Sequence, residues 1–521
     1  MRSVTNPSRR DFLRTAALAG GAAILPWEAF AEAAPVDPDA LADVALTRAT
    51  RAGAAYADIR INRYREEEIA AREQRVRALG RSQSHGFGIR VLLDGAWGFA
   101  ASPDVRPEAI ARIIDEAVAI AKANAAYQRT PVALARSAAV TATWRSAFEQ
   151  DPFEEPTERK IAFLLAMNEA AMKAKGTSFA TSSLVFQNEQ KFFASTDGSR
   201  TEQYIIRTYP MLTATAVNRK AGDFQTRRTL PGPKSIGYEY LERFPWLNEA
   251  ETAGEEAAAK LDAKPVVPGK YDLILHPSHL FLTIHESVGH STELDRALGW
   301  EADYAGTSFL TPDKIGLQFA SPRCSFVADR TQPEGLATVG FDDEGVPAQR
   351  WDLVRNGVFV DWQTTRDLAP LIGRDHSYGC LHADSWGSVP FPRMPNVSLQ
   401  PAADDATLGD LVGGVENGIL IFGNGSWSID QQRYNFQFSG QTAWEIKAGK
   451  VTDLLRDVAY QSRTTDFWNA CDGLGGSATY ELNGLLGDAK GQPTQRNAVS
   501  HGCPVARFRG IDVLNIAAEN A

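Results

Sequence analysis

Cysteine is scarce in this chain, four in 521 residues, and no two stand as a local Cys-x-x-Cys pair. So few thiols remove the basis for a disulfide-built scaffold, although an even count leaves room for one or two bridges among Cys324, Cys380, Cys471 and Cys503. An excess of positive charge is missing too. Lys and Arg number 54 against 64 Asp and Glu, a formal charge of −10, so nothing electrostatic favours nucleic acid as a partner. No stretch approaches ~18 consecutive apolar residues, which leaves the mature protein without a spanning helix as a stable membrane anchor. Internal repeats are absent, and the low-complexity character is confined to one Pro-rich linker. What remains, 44% hydrophobic and 23% charged, is an ordinary globular composition with material for a sizeable core and roughly two to four domains.

Histidine is sparse as well, eight in all, yet two fall in one hexapeptide, His285-Glu286-Ser287-Val288-Gly289-His290, directly after the apolar run Leu280-Phe281-Leu282-Thr283-Ile284. Two imidazoles supply nitrogen ligands for zinc, and the carboxylate beside the first supplies a base for the water that zinc acidifies. The spacing is i, i+5, and at ~100° per residue a regular α-helix would splay the rings ~140° apart. Convergence therefore predicts an irregular helix over 285–290, with Gly289 as the place where the backbone widens most cheaply into a π-type turn. A catalytic zinc needs a third protein ligand and an open fourth position. The residues offer several: Cys471 in the glycine-rich Ala470-Cys471-Asp472-Gly473-Leu474-Gly475-Gly476, Cys503, the loop cluster His376, Cys380 and His382, and the nearby Glu293, Asp295 or Glu301. His276 and His279 read as loop and N-cap residues rather than ligands.

The N-terminus places Arg9-Arg10 before the short apolar segment Ala16–Leu25, followed by small residues suited to cleavage around Ala29-Phe30-Ala31 or Ala31-Glu32-Ala33. It resembles a twin-arginine export signal over 1–33 and implies a periplasmic protein. That route carries folded proteins, so a thiolate ligand is compatible with export. Beyond it, helices are expected at 38–54, 157–175 and 248–263, with another opening at Pro107. Strands are expected at 56–64, near 178–187, 191–196 and 200–208, and as a hairpin, 86–93 with 96–100, across Asp94-Gly95. Lys264-Pro265-Val266-Val267-Pro268-Gly269-Lys270 has linker composition. The division is an N-terminal α+β, sandwich-like domain at 34–264 and a β-rich C-terminal catalytic domain at 265–521, which carries the hexapeptide helix and short hairpins such as that about Asn356-Gly357. The fold class is α+β.

The hexapeptide with Glu293 and Asp295 resembles the TldD branch of the TldD/PmbA family, zinc peptidases that share a His-Glu-x-x-x-His motif and a downstream cysteine. Gly86-Phe87-Gly88-Ile89-Arg90-Val91 with Gly98-Phe99-Ala100, Asp342-Asp343-Glu344-Gly345, Phe391-Pro392-Arg393-Met394-Pro395-Asn396 and Gly491-Gln492-Pro493 follow in the family's order, so the likeness covers nearly all of the mature chain. It implies a third ligand at the cysteine before a Gly-rich turn and ahead of Gly-Gln-Pro, here Cys471. It also implies action on small, unfolded or modified peptides, as a homodimer or with a PmbA-like (TldE-like) subunit. Ser500-His501-Gly502-Cys503-Pro504 departs from the family pattern, leaving Cys503 free to pair with Cys471 or replace it.

The expected site is thus His285, His290 and Cys471 on zinc, Glu286 as general base, and Glu293 or Asp295 accepting the second N–H of a ligand histidine. Two other readings accompany it. A dipeptidyl-peptidase-like zinc enzyme also uses His-Glu-x-x-Gly-His but takes its third ligand from a glutamate on a later helix, and a non-catalytic envelope peptide-binding or assembly factor would hold zinc in a closed four-ligand site.

Overall fold

The computed structural model describes residues 37–517; the export signal expected over 1–33 lies outside the described residues. From Asp39 onward the chain packs as one unit of mixed α+β structure. Helix α1 (Pro38–Arg51) leads into β1 (Tyr56–Arg72), β2 (Arg75–Leu93) and β3 (Ala96–Ser102). The turn between β2 and β3 is made at Asp94 and Gly95, both at positive φ (51° and 75°), which is what a two-residue hairpin of right-handed strands requires. After α2 (Pro107–Ala125) come β4 (Thr141–Arg145), α3 (Thr157–Lys173), β5 (Thr177–Ser195), β6 (Arg200–Asn218), β7 (Asp223–Arg228) and α4 (Trp246–Ala259). The strands form a seven-stranded sheet in the order β3-β2-β1-β5-β6-β4, with β7 also on β6. Ile59, Ile61, Phe87, Ile89 and Val91 pack against Leu41 and Ala45 of α1 and Ile110 and Ile114 of α2. A second core joins Ile69, Leu184, Phe186 and Leu212 to Leu164 and Met167 of α3 and Trp246 of α4.

One expectation needs correction here. The polar run Gln187-Asn188-Glu189-Gln190 reads as a break between two strands, but β5 passes through it unbroken, paired with β1 from Asp58↔Ser195 to Arg72↔Thr181 and with β6 on its other side. Asn188 is buried and donates to the Ile205 carbonyl (3.1 Å) while accepting from Arg65 Nε (2.9 Å), so its polarity is satisfied inside the sheet.

Of the expected linker, Lys264 and Pro265 pair with the β-strand Lys450–Arg456 and Gly269 opens β8 (Gly269–Leu275). β8 delivers the chain through His276 into α5 (Pro277–Ile284), where His276 is the N-cap, accepting from Ser278 N–H, and Pro277 takes the first turn. Next are β9 (Phe326–Asp329), β10 (Arg350–Arg355), β11 (Val358–Phe359) and β12 (Asn396–Leu399), in sheet order β11-β10-β9-β12. Then follow β13 (Asn417–Ile429), β14 (Asn435–Lys447), β15 (Lys450–Arg456), β16 (Val458–Arg463), β17 (Cys471–Leu474), β18 (Glu481–Lys490), β19 (Gln495–Cys503) and β20 (Ala506–Asn515). The pairings β13-β8-β20-β16-β14 close on themselves because β14 also pairs with β13, and β17 adds to β20. β18 and β19 make a separate hairpin. Leu280, Phe281, Ile284 and Val288 are buried in a core with Phe326, Trp468 and Phe508, which fixes α5 and its C-terminal end. No helix among the described residues is long and apolar enough to cross a membrane.

Candidate metal centre

After Ile284 the backbone widens. His285–Gly289 is a π turn, and the His290 N–H bonds to the His285 carbonyl. The extra residue in the turn brings the two imidazoles together, their centroids 4.5 Å apart with planes at 71°. Gly289 has a different cause from the expected one. Its φ of −55° is ordinary helical backbone, but a Cβ would lie 2.5 Å from Met394 Sδ. A larger residue there would have to displace the end of the buried Met394 side chain. The irregular turn frees carbonyls, and buried side chains collect them: Gln363 Nε2 donates to Gly289 O (2.6 Å), Ser291 Oγ to Ser287 O (2.7 Å) and Thr292 Oγ1 to Val288 O (2.8 Å).

The third donor that the fold brings to the histidines is Asp488, near the end of β18. Its Oδ1 lies 3.6 Å from His285 Nε2 and 3.4 Å from His290 Nε2. Among the described residues, His285, His290 and Asp488 are the one set of three His, Cys, Asp or Glu donors whose ligating atoms all fall within 4.8 Å of one another, and all three are buried. Cys471 is not in the set. It opens β17 opposite Phe508 of β20, its thiol 3.8 Å from the Gly473 carbonyl and in contact with the Cys324 thiol, so it packs as a core residue. Cys503 neither pairs with it nor replaces it, since its thiol faces the Pro277 carbonyl at 3.9 Å. All four cysteines are free and buried. The rival loop cluster does not converge either: His376 contacts the exposed Asp375, Cys380 is buried, and His382 turns toward Asp343 (3.6 Å). His279 is also no donor here, since its ring bonds the Gly423 carbonyl and the Tyr460 hydroxyl.

Hydrogen bonds indicate which nitrogen carries the proton when each ring is neutral, as a metal ligand must be. His501 Nδ1 lies 2.8 Å from the Val397 carbonyl, which can only accept, so Nδ1 is protonated and the Nε2 of the neutral ring accepts. That Nε2 meets His285 Nδ1 at 2.8 Å, so His285 donates from Nδ1 and keeps its Nε2 lone pair toward Asp488. His290 donates from Nδ1 to Glu293 Oε2 (2.8 Å), leaving its own Nε2 lone pair on the same side. Asp488 is oriented in turn by Arg393, fully buried, whose Nη2 donates to Oδ2 (2.9 Å). Two nitrogen lone pairs and a carboxylate oxygen thus face one point, a donor set that suits zinc.

Electrostatics agree with that geometry. Burial pushes the His285 imidazole down, but in the protonated ring a hydrogen bond from Nε2 to Asp488 and the charge of that carboxylate outweigh it, and the pKa is raised. For Asp488, burial acts upward and the two histidines more than reverse it, holding the carboxyl well below the usual range. Each shift means that a proton shared between the rings and the carboxylate is favoured, and a cation placed at the same point would be attracted by the same carboxylate. Burial keeps His501 well below the ordinary histidine value, so it stays neutral. A buried ion network surrounds the donors. Glu293 also pairs with Arg296 and with Lys490 Nζ (3.0 Å), while Asp295 pairs with Lys490 (2.7 Å) and touches neither histidine. Glu286, beside His285 and 6% exposed, receives Arg433 Nη1 at 2.8 Å.

Sequence reasoning did not reach Asp488, His501, Arg393 as the orienter of Asp488, or Arg433. The available signal for Asp488 was its place three residues before Gly491-Gln492-Pro493, a position to be read for any donor rather than for a thiol alone. His501 was visible only as an oddity of Ser500-His501-Gly502.

Comparison with known proteins adds to this picture. Three family models match in order: PmbA/TldA metallopeptidase domain 1 at residues 57–121, the central domain at 150–264 and the C-terminal domain at 268–515. A metalloprotease of Methanocaldococcus jannaschii is 27% identical over 79% of this chain and 87% of its own length. A zinc metalloprotease TldD homolog of Saccharolobus solfataricus is 22% identical over 90% and 98%. Among solved structures, a Thermotoga maritima protein described as a candidate modulator of a DNA gyrase superposes with a TM-score of 0.74 at 16% identity, over 92% of this chain and all of that one. TldE from Thermococcus kodakarensis does so at 0.68 and 18%, over 90% and 98%.

Proposed function

Because the chain belongs to the PmbA/TldD metallopeptidase family, we propose that it is a zinc-dependent peptidase that hydrolyses small, unfolded or modified peptides. The observation that carries this reading is the convergence of His285 Nε2, His290 Nε2 and Asp488 Oδ1 within 4.8 Å, with Glu286 next to the first histidine. Those three residues would hold the metal, which when bound supplies Lewis-acid polarisation. Three protein donors leave a further position open, whereas a closed structural site takes four. Asp488 comes from a strand, which speaks against the dipeptidyl-peptidase-like alternative with its helical glutamate.

In this mechanism the protein's own groups position and move protons. Glu286 takes a proton from the attacking water and delivers one to the departing amine. His501 and Glu293 keep the two ring nitrogens unprotonated on the metal-facing side, and Arg393 keeps the Asp488 oxygen turned toward them. We further infer periplasmic export directed by residues 1–33, mature domains at 34–264 and 265–521, and assembly as a homodimer or with a TldE-like subunit; the fold shared with TldE supports the last of these.

The test is zinc content and peptide hydrolysis of the purified mature protein beside two variants. Asp488→Asn is expected to lose bound zinc. Glu286→Gln is expected to keep it and lose hydrolysis of a pool of internally quenched peptides. Full zinc occupancy in a folded Asp488→Asn protein would remove Asp488 from the site, and a fully active Glu286→Gln protein would remove the general base.

A further inference from the structure

Between β13 and β14 the chain turns at Asp430–Tyr434, and Arg433 stands at that tip with φ +64°, a left-handed backbone that non-glycine residues rarely adopt. The tip is held from several sides. Arg433 N–H donates to Asp430 O (3.0 Å), Thr464 Oγ1 donates to Arg433 O (2.8 Å), and Thr307 and Phe309 N–H groups donate to Gln431 O (2.8 Å) and Gln432 O (3.0 Å). This fixed backbone sends the guanidinium inward until its side chain is 14% exposed. There Nη1 reaches Glu286 Oε2 (2.8 Å) and Nη2 reaches the Ala305 carbonyl (2.9 Å), while Nε is buried without a hydrogen-bond partner.

A guanidinium has five N–H donors, and two are used by these contacts, so Arg433 retains donors after holding the carboxylate. A second guanidinium lies beside it, because Arg296 donates to the same Ala305 carbonyl. Around the donor set, the carboxylates Glu286, Glu293, Asp295 and Asp488 are ion-paired with Arg433, Arg296, Lys490 and Arg393. These four carboxylates each have a cationic partner before any metal enters, with the partly exposed Glu301 as a further acid near Lys490 and Arg296. A divalent ion adds positive charge that a developing oxyanion can help offset, and a preorganised donor in such a buried site is worth far more than in water.

We propose that Arg433 is a catalytic residue that binds the oxyanion: it reaches the carbonyl oxygen of the scissile peptide bond as negative charge develops there, while keeping its contact with Glu286. The proposal rests on the metallopeptidase reading. In the step, the water oxygen bonds to the carbonyl carbon and the C=O π pair moves onto the oxygen that Arg433 receives. When that pair returns, the C–N bond breaks and the amine leaves with the proton that Glu286 took from the water.

The experiment uses the full mature chain loaded with cobalt(II), whose visible absorption reports metal binding independently of turnover, and methylphosphonate as a small tetrahedral anion. Wild-type protein should bind cobalt and show a saturable spectral change with methylphosphonate. Arg433→Met should bind cobalt equally and lose about 10- to 100-fold in methylphosphonate affinity, with a similar fall in kcat/KM on quenched peptides, while Arg433→Lys retains part of both. Unchanged methylphosphonate affinity in Arg433→Met, or a wild-type spectrum that the anion does not move, would overturn the proposal. So would loss of cobalt from a folded Arg433→Met protein, which would make the arginine a structural support. Failure of the wild type to take up cobalt would instead overturn the metallopeptidase reading beneath it.

Discussion

Substituting His501 by phenylalanine tests the tautomer argument at its most exposed link. In the native site the Val397 carbonyl fixes the His501 proton on Nδ1, and the His501 Nε2 lone pair then fixes the His285 proton on Nδ1, through two contacts of 2.8 Å each. Phenylalanine fills the space but accepts nothing. His285, 2% exposed, must then either bury an unsatisfied N–H, at about 1–3 kcal/mol, or move its proton to Nε2 and close the lone pair that faces Asp488. Both routes penalise the metal-bound state, and loss of such an outer hydrogen bond typically costs about 10- to 100-fold in metal affinity, or roughly 1.4–2.7 kcal/mol. The assay is a zinc competition titration against a chromophoric chelator at pH 7.5, with thermal melts to establish that the variant is folded. His501→Gln, whose amide oxygen can accept, should recover part of the loss. Zinc affinity unchanged in a folded His501→Phe protein would refute the reasoning.

Two further outcomes are expected. Cys471→Ser should retain zinc, because its thiol lies against Gly473 and Cys324 in the core, and metal analysis of the folded variant checks this directly. Acidification should destabilise the fold above the range where carboxylates titrate. Burial, the leading cause at each, pushes His276 and His279 down to about 4 and His382 to about 3, against ~6.5 in an unfolded chain. Between those values the unfolded state binds more protons, so this stability is complete above pH ~6.5 and drains as pH falls. For His279 the full effect is roughly 3 kcal/mol, and His279→Gln should flatten the fall of Tm from pH 7 to 4.5. Asp342, raised to about 6 mainly by burial, and Glu344, also raised, act in the opposite sense, so the comparison with His279→Gln decides: a variant whose Tm falls as steeply as the wild type would contradict the assignment of His279 as neutral.

The sequence disclosed most where a local pattern had a single physical solution. Histidines at i and i+5 converge only if the helix widens, and the π turn at His285–Gly289 is that solution. Asp94-Gly95 and Asn356-Gly357 tolerate paired positive φ, and both turns sit where hairpins reverse. Patterns settled by distant partners were opaque. The polar centre of β5 looked like a loop because Arg65 and Ile205, which satisfy Asn188, are far along the chain. For the same reason the third donor was sought at Cys471, with Cys503, the His376, Cys380 and His382 cluster and the nearby acids Glu293, Asp295 and Glu301 as the other candidates. Nothing local marks Asp488 as facing the histidines; the β18–β19 hairpin brings it there and places His501 opposite Asn483, so a single hairpin carries both a donor and the group that orients His285. Arg433 had no signal beyond a charge in a turn.

A buried cluster of this kind bears on stability as well as chemistry. Removing carboxylates and cations from water is expensive, and their mutual attraction repays the cost only with good geometry, so these ion pairs are weak candidates for net stabilisers of the fold. A bound metal changes that balance, because it binds the folded arrangement of His285, His290 and Asp488 and not the unfolded chain. At a free zinc concentration about 1,000 times Kd, mass action adds roughly 4 kcal/mol. Unfolding entropy of about 2.1 cal/mol/K per residue puts a chain of this size near 1 kcal/mol per degree, so removing zinc with a chelator should lower Tm by about 4 °C. Calorimetry of the purified protein before and after chelation, with zinc then restored, measures this, and Asp488→Asn should show no difference between the two states. If chelation demonstrably removes zinc from the wild type and Tm does not move, the metal is not held by the folded donor set, and the buried charges around it must be stabilised in some other way.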